Sequence, residues 1–370
     1  MSLRKVPFFE YPRLWSDDKE DLLSIIDNVS STGGFILQKA VSDFETELAD
    51  YTGTNYSVGV GNATDGMEIF LEAIGLNQGD EVIISSHTML ATASAIKVAG
   101  GIPVPVDIGD DNLISSSAIE EAITSNTVGI MPTQLNGRIC DMESVLAIAA
   151  KNGLFVVEDA AQALGSSYKG QHAGTFGLAA DISFFPAKVL GCLGDAGGVL
   201  VNDEALYHQI YQLHDHGRDT DGEVKRWGRN SRLDNIQAAI LSHKLKSYDT
   251  VITRRREVAK IYQDRLGLLN ELKLPPGPEI SGDNFDVYQN YELQADKRND
   301  LKTHLSENGI GTLIQWGGTA IHQFKNLGFS QECPKTDSFF EQCIMLPMNV
   351  FVSNDDVDYV CDKVIEFYRS

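Results

Sequence analysis

A carboxylate and an amine follow two apolar runs that the sequence predicts to be β-strands. Asp159 closes the run at 155–158, and Lys188 lies just before a glycine-rich stretch. Alone, each has an ordinary explanation, since a strand-end aspartate commonly caps a helix and a lysine is commonly exposed. Together they match pyridoxal phosphate (PLP) chemistry, which needs an anion at the ring nitrogen and an amine for a Schiff base. The pair therefore predicts a PLP site.

The segment Gly61 to Gly66 supplies a third feature, because it is small and polar and lies between a predicted strand and a predicted helix. Backbone N–H groups at a helix start bind phosphate readily. A capped helix without a ligand is the alternative interpretation. Gly59 and Gly61 resemble half of a dinucleotide fingerprint, but Thr64 occupies the place of its third glycine. A nicotinamide dehydrogenase is therefore disfavoured.

The elements that carry these residues predict an α/β fold. Between residues 55 and 203, short β-branched runs alternate with helical stretches, which is typical of a mostly parallel sheet covered by helices. A long helical stretch at 234–265 leads into a Pro- and Gly-rich loop at 272–284 and a smaller unit. We predict a large domain over 1–245 and a small α+β domain over 246–370. The predicted strands are 56–60, 81–85, 102–108, 128–132, 154–158, 181–185 and 198–201.

Length and composition limit the possible functions. The chain has 370 residues, enough for about two domains, and a formal net charge of −22. Such a charge disfavours nucleic acid and anionic membranes as partners. The five scattered cysteines form no zinc motif, and no segment resembles a signal peptide or a membrane span. We therefore expect a cytoplasmic protein with no metal site.

Beyond these features, the sequence resembles the DegT/DnrJ/EryC1/StrS family of PLP-dependent sugar aminotransferases from about Pro7 to the C-terminus. The resemblance implies fold type I, the aspartate-aminotransferase-like fold, with a mostly parallel seven-stranded sheet. The segments that carry it are Phe44-Glu45, Gly79 to Ile83, Thr88 to Thr92, Pro103-Val104, Glu158 to Gln162, Ser183 to Gly191, Gly194 to Gly198 and Asn230 to Asp234.

The resemblance also implies roles for individual residues. Lys188 matches the Schiff-base lysine that shuttles the substrate proton, and Asp159 matches the partner of the pyridine nitrogen. Gln162 matches a residue packed against the ring, and Ser183 a residue of the phosphate site. Further cofactor positions match Ala63, Thr64 and Asn230, the last reaching the phosphate from a neighbouring subunit.

The chain departs from the family pattern where relatives stack an aromatic residue on the ring, since it has Met89 there, with His87 as an alternative cover. Trp316 and His322 occupy the region where relatives build part of the sugar pocket, with a core tryptophan of the small domain as the alternative for Trp316. A basic segment at 214–232 predicts a diphosphate contact from Lys225, Arg226 or Arg229, with a solvated charge cluster as the alternative.

The resemblance implies a ping-pong transfer of an amino group, with glutamate as the expected donor, to a nucleotide-linked 3- or 4-keto sugar. Pyridoxamine phosphate is the expected intermediate form of the cofactor, and a homodimer with shared active sites the expected assembly. The resemblance implies that such products feed cell-surface polysaccharide biosynthesis or glycosylated natural products. Two alternatives from the same family are a sugar dehydratase, which has a histidine in place of Lys188, and a regulatory protein that binds PLP without turnover.

Overall fold

The computed structural model describes residues 4–278 and 282–369. The strands are β1 (Tyr56–Val60), β2 (Glu81–Ser85), β3 (Ile102–Val106), β4 (Thr127–Met131), β5 (Phe155–Val156), β6 (Glu158–Asp159), β7 (Ser167–Tyr168), β8 (Gln171–His172), β9 (Ala179–Ser183), β10 (Gly197–Val201), β11 (Leu272–Lys273), β12 (Asn284–Phe285), β13 (Tyr291–Ala295) and β14 (Cys343–Leu346). The α-helices are α1 (Tyr11–Asp17), α2 (Lys19–Thr32), α3 (Lys39–Thr52), α4 (Ala63–Ala73), α5 (Leu90–Val98), α6 (Ser116–Ala122), α7 (Met142–Asn152), α8 (Glu204–His214), α9 (Asn235–Leu245), α10 (Tyr248–Leu266), α11 (Arg298–Glu307), α12 (Pro334–Gln342) and α13 (Asn354–Arg369).

A mostly parallel sheet forms the centre of the fold. Its first half has the order β3-β2-β4-β5 with parallel neighbours. Its second half has the order β1-β10-β9-β6, in which β10 runs antiparallel to both neighbours. The halves join through β5 and β6, which only Val157 separates, and Thr133 bridges to Asp159 in parallel. The predicted α/β fold of the aspartate-aminotransferase type is confirmed.

Strand β9 begins two residues earlier than predicted, at Ala179 instead of Asp181. Its register with β10 is fixed by pairing of Ser183 with Gly197 at one end and of Ala179 with Val201 at the other. Phe184, which the prediction included in the strand, is fully buried against the ring of Phe44 at a centroid distance of 5.2 Å. The apolar character of Phe184 therefore reflects core packing and not strand pairing. Because β9 begins at Ala179, Asp181 lies in the middle of the strand.

Helix α4 carries the apolar stripe that the sequence predicts. Met67, Phe70 and Leu71 are buried, whereas Ile74 is the partly exposed C-cap residue. At the other end, the side-chain oxygen of Asn62 caps the helix by accepting from the Asp65 N–H at 2.9 Å. The cap and the stripe orient the N-terminus of α4 toward the edge of the sheet where β1 ends.

The C-terminal part has its own small sheet, β11-β13-β14, and its own apolar cluster. That cluster also includes Val6, which bridges in parallel to Ile310. The predicted helical stretch is two helices, α9 and α10, which meet at residues 246–247. The division of the chain at residue 245 stays a prediction, and it coincides with this break.

All five cysteines are buried and unpaired. Within residues 4–278 and 282–369, no group of histidine, cysteine and acidic side chains could hold a metal ion. Over the same ranges, no helix is both long and apolar enough to cross a membrane.

Candidate active site

Three hydrogen bonds fix the carboxylate of Asp159 at the end of β6. Its Oδ2 accepts from the hydroxyl of Thr92 at 2.5 Å and from that of Thr133 at 3.4 Å. Its Oδ1 accepts from the Ala161 N–H at 3.2 Å. The Thr88 hydroxyl lies 2.8 Å from the Thr92 hydroxyl and 2.7 Å from that of Thr133, which ties the donors together. These hydrogen bonds hold the carboxyl group of Asp159 in one orientation at the end of β6.

Glu158, the preceding residue, points to the opposite face of the sheet because side chains alternate along a strand. It accepts from the Gln134 amide at 2.8 Å and from the backbone N–H groups of Gly174, Phe176 and Gly177 at 2.9, 2.7 and 3.1 Å. Burial raises the pKa of Glu158, and these hydrogen bonds oppose that shift. Glu158 therefore anchors the loop at 174–177, while Asp159 alone faces α5.

The loop after β9 carries Lys188, and one side chain of the C-terminal part holds it. The Gln289 amide donates to the Ala187 carbonyl at 2.9 Å and accepts from the Val189 N–H at 3.0 Å. Arg255 in turn donates to the carbonyls of residues 288 and 289 at 2.8 and 2.6 Å. Sequence reasoning missed Gln289 and Arg255, because a glutamine and a helical arginine carry no local signal of these long-range contacts.

The amine of Lys188 makes no hydrogen bond or ion pair with any residue in the described part of the chain. Burial lowers its pKa, whereas the negative charges of Asp159 and Asp181 act in the opposite direction. A lowered pKa increases the fraction of free amine, which is the nucleophilic form. Lys188 also lines a cavity of about 260 Å³, whose other walls include the N-terminal segment and residues 348–351.

The start of α4 offers unused backbone donors near this loop. In the part of the chain that the structure describes, the N–H groups of Ala63 and Thr64 have no hydrogen-bond partner, as expected in a first helical turn. A Cβ atom on Gly197 would lie 2.6 Å from the Ala63 nitrogen, so this close approach requires glycine. Since Ser183 pairs directly with Gly197, the structure brings three predicted phosphate-site residues to one place.

Met89 and His87, the two candidates to cover the ring, differ sharply in exposure. Met89 is 53% exposed at the N-cap of α5, whereas His87 is 2% exposed. The His87 ring packs against Trp316, Phe339 and Phe340 at centroid distances of 5.6, 4.4 and 5.3 Å. His87 therefore packs among aromatic rings and also lines a small cavity, whereas Met89 is the more exposed of the two candidates.

Two further predicted cofactor residues have different surroundings. The Gln162 side chain accepts from the Asn136 N–H at 2.9 Å and is half-buried beyond the end of β6. Asn230 is exposed, and its backbone bridges to Asp215 at the base of an arm that spans residues 215–230. The arm also exposes Trp227, at 94% of its surface, which leaves this segment free to contact another chain.

Arg229 is held within its own chain. Its guanidinium pairs with Glu68 at 2.7 Å and with Glu72 at 2.5 Å, both on α4. A diphosphate contact by Arg229 would therefore compete with two carboxylates. Lys225 pairs with Asp219 and Glu223, and Arg226 donates weakly to Gln209 at 3.5 Å.

The two residues predicted for the sugar pocket are also engaged in the structure. Trp316 is half-buried, with a ring-centroid distance of 6.4 Å to Phe340 and positive backbone φ of 46°. His322 is 3% exposed, and its ring nitrogens lie 2.6 Å from the Ser86 hydroxyl and 3.0 Å from the Asp337 carboxylate. Contact between His322 and a sugar would have to break one of these hydrogen bonds, so both assignments stay predictions.

Comparison with known proteins extends over almost the entire chain. The sequence profile of the DegT/DnrJ/EryC1/StrS aminotransferase family matches residues 16–365. The chain is 36% identical over 369 residues to a pleiotropic regulatory protein of Geobacillus stearothermophilus, covering 98% of this chain and 99% of that protein. It is 35% identical over 345 residues to the UDP-2-acetamido-2-deoxy-3-oxo-D-glucuronate aminotransferase of Pseudomonas aeruginosa, covering 93% and 95%.

Among solved structures, the fold is similar to that of S. venezuelae DesV in complex with a ketimine intermediate. The TM-score is 0.94 at 32% sequence identity, and the match covers 99% of both chains. Both the sheet that carries Asp159 and Lys188 and the C-terminal part that carries Gln289 therefore have counterparts in a related protein.

Proposed function

We propose that this chain, which belongs to the DegT/DnrJ/EryC1/StrS aminotransferase family, transfers an amino group from an amino acid to a keto-sugar linked to a nucleotide. The observation that carries the proposal is the unpartnered amine of Lys188, on which the negative charge of the hydrogen-bonded Asp159 acts. The names of relatives support the substrate class, since they include a UDP-linked and a dTDP-linked sugar aminotransferase.

The family depends on PLP, and the residues present fit this cofactor. The free N–H groups of Ala63 and Thr64 suit a phosphate, with Ser183 beside them. Asp159 suits a protonated ring nitrogen, and Met89 is exposed where a ring could be covered. When bound, PLP withdraws electrons from the substrate carbon and carries the amino group between the two substrates.

The remaining chemistry falls to side chains of the protein. Lys188 would hold the cofactor and would remove and return a proton at the substrate carbon. Its lowered pKa favours the free amine that this task requires. Asp159 would face the ring nitrogen, and the hydroxyls of Thr92 and Thr133 orient its carboxyl group for this contact.

We further infer that glutamate is the amino donor and that the enzyme is a cytoplasmic homodimer. The exposed arm with Asn230 supports a contribution across a subunit boundary. The five buried, unpaired cysteines fit a reducing compartment.

A second candidate function is regulation without turnover, because one relative is named a pleiotropic regulatory protein. The intact pair of Lys188 and Asp159 favours catalysis. A sugar dehydratase of the same family is disfavoured because a lysine, and not a histidine, follows β9.

Borohydride reduction tests the proposed function. The purified protein should be yellow, lose the visible band on reduction, and retain the mass of the cofactor on the peptide that contains Lys188. Lys188→Ala should be colourless, or lose its colour on dialysis, whereas the exposed control Lys97→Ala should behave like the wild type. Glutamate should bleach the band in a single half-reaction, and a protein that binds PLP without bleaching would favour the regulatory alternative.

A further inference from the structure

Asp181 is a buried acid without a partner. It lies in the middle of β9 and is 0% exposed. Neither of its carboxyl oxygens makes a hydrogen bond. Burial of a carboxyl group without a hydrogen-bond donor is costly in free energy. The groups around Asp181 should therefore show why the protein keeps an acid there.

The surroundings of Asp181 are those of the proposed cofactor. Asp181 pairs directly with Asp159 in the parallel register of β9 and β6. Directly paired residues on neighbouring strands point to the same face of a sheet. Above this face lies the first turn of α4, where a Cβ on Gly66 would be 3.6 Å from the Cβ of Asp181. The orphaned acid therefore lies between the ring-nitrogen partner and the phosphate-binding turn.

The two neighbouring acids have unequal support. Asp159 accepts three hydrogen bonds, whereas Asp181 accepts none. Burial, and next the negative charge of Asp159, raise the pKa of Asp181 well above its usual value, and Lys188 opposes this shift. Glu158 adds a smaller repulsion from the other face of the sheet. Gly66 of α4 and Val199 of β10, which also contact this position, are uncharged.

Two adjacent buried carboxyl groups cannot both ionise at low cost, so the pair keeps one proton. Because Asp159 accepts three hydrogen bonds and Asp181 accepts none, the shared proton resides on Asp181. As the pH rises, Asp181 loses this proton and the pair acquires a second negative charge. That second charge favours the protonated form of any nitrogen held by Asp159.

We propose that Asp181 is a positioning residue that acts through Asp159 to keep the cofactor's ring nitrogen protonated over a wider pH range than Asp159 alone would allow. This inference rests on the proposed function, because it concerns the nitrogen of a bound PLP. It adds to the role of Asp159 a second, titratable carboxyl group on the same face of the sheet.

The protonated acid can be detected in the cofactor-free protein. Infrared spectroscopy should show the carbonyl stretch of protonated carboxylic acids, and one component of that band should be missing from Asp181→Asn and from Asp181→Leu but retained in the exposed control Asp50→Asn. In chemical denaturation, Asp181→Asn should gain stability over the wild type as the pH rises from about 4 to 8. The sign follows because the folded wild type keeps a proton that the unfolded chain has released. Identical infrared bands in the wild type and both Asp181 variants would overturn the inference.

Nitrogen NMR of protein loaded with ring-labelled PLP tests the role itself. The ring nitrogen should lose its proton about one to three pH units lower in Asp181→Asn than in the wild type. Superimposable titrations would overturn the role of Asp181 and leave the proposed function intact. Failure of the wild type to bind PLP would instead overturn the proposed function, and with it the role at the ring nitrogen.

Discussion

The Gln289 clamp on the Lys188 loop leads to a quantitative prediction. The Gln289 amide makes two hydrogen bonds, to the Ala187 carbonyl and the Val189 N–H, and its residue is 8% exposed. Each such bond contributes about 1 kcal/mol net. Gln289→Leu removes both bonds, so the ordered loop should become about 2 kcal/mol less stable relative to its open forms. Because 1.4 kcal/mol changes an equilibrium constant about tenfold, the ratio of ordered to open loop should fall about thirtyfold.

Single-turnover transfer from glutamate, read from the visible band, measures this effect, and thermal unfolding is followed in parallel. The matched control is Gln294→Leu, since Gln294 is a half-buried glutamine of β13 with only a long amide contact of 3.4 Å to Asn112. Gln289→Glu should keep the hydrogen bond from the Val189 N–H and lose the one to the Ala187 carbonyl. Its rate of transfer should therefore lie between that of the wild type and that of Gln289→Leu. If Gln289→Leu slowed the transfer no more than Gln294→Leu, the clamp would have no part in positioning Lys188.

Three further predictions follow from the contacts of single side chains. Thr92→Val removes the 2.5 Å hydrogen bond to Asp159 and should lower kcat about tenfold or more, with the exposed Thr46→Val as control and steady-state kinetics as the assay. Arg229→Gln should raise KM for the keto-sugar and spare KM for the amino donor; an equal rise in both would argue against a diphosphate contact. Burial raises the pKa of Glu45 to about 7, so the folded chain keeps a proton that the unfolded chain releases above about pH 4.5. The free energy of unfolding of the wild type should therefore fall as the pH rises from about 4.5 to about 7. Urea denaturation should show that Glu45→Gln is more stable than the wild type at pH 8 and that the difference vanishes near pH 4.

The sequence predicted the parts of the fold that depend on local patterns. The strands at 56–60 and 81–85 have the predicted bounds because each is a short β-branched run with a clear end. The antiparallel direction of β10 could not be predicted, since an apolar run does not encode the direction in which its strand pairs. The bounds of β9 were predicted two residues too late because Phe184 is apolar and its position continues the alternation of a strand, whereas in the structure it packs in the core beyond the strand's end.

The candidate site likewise includes residues that the local sequence indicates and contacts that only the structure shows. Asp159 and Lys188 were predicted as site residues because each follows a predicted strand and their residue types suit one chemistry. The pairs of Arg229 with Glu68 and Glu72 join positions more than 150 residues apart, and nothing in the local sequence reports them. Met89 and His87 were both candidates to cover the ring, and only the structure shows that Met89 is exposed and His87 is buried. Asp181 was read as the start of a strand, and only its pairing with Asp159 revealed a second acid in the site.

Transfer of labelled nitrogen tests the central claim most directly. The protein would be incubated with glutamate carrying an isotopically labelled amino group and a panel of nucleotide-linked 3-keto and 4-keto sugars, followed by mass spectrometry of the sugars. We predict that one sugar gains the labelled amino group and that Lys188→Ala abolishes the gain. The result that would contradict the account is a protein fully loaded with PLP that transfers no label to any sugar, whether the labelled donor is glutamate or another amino acid.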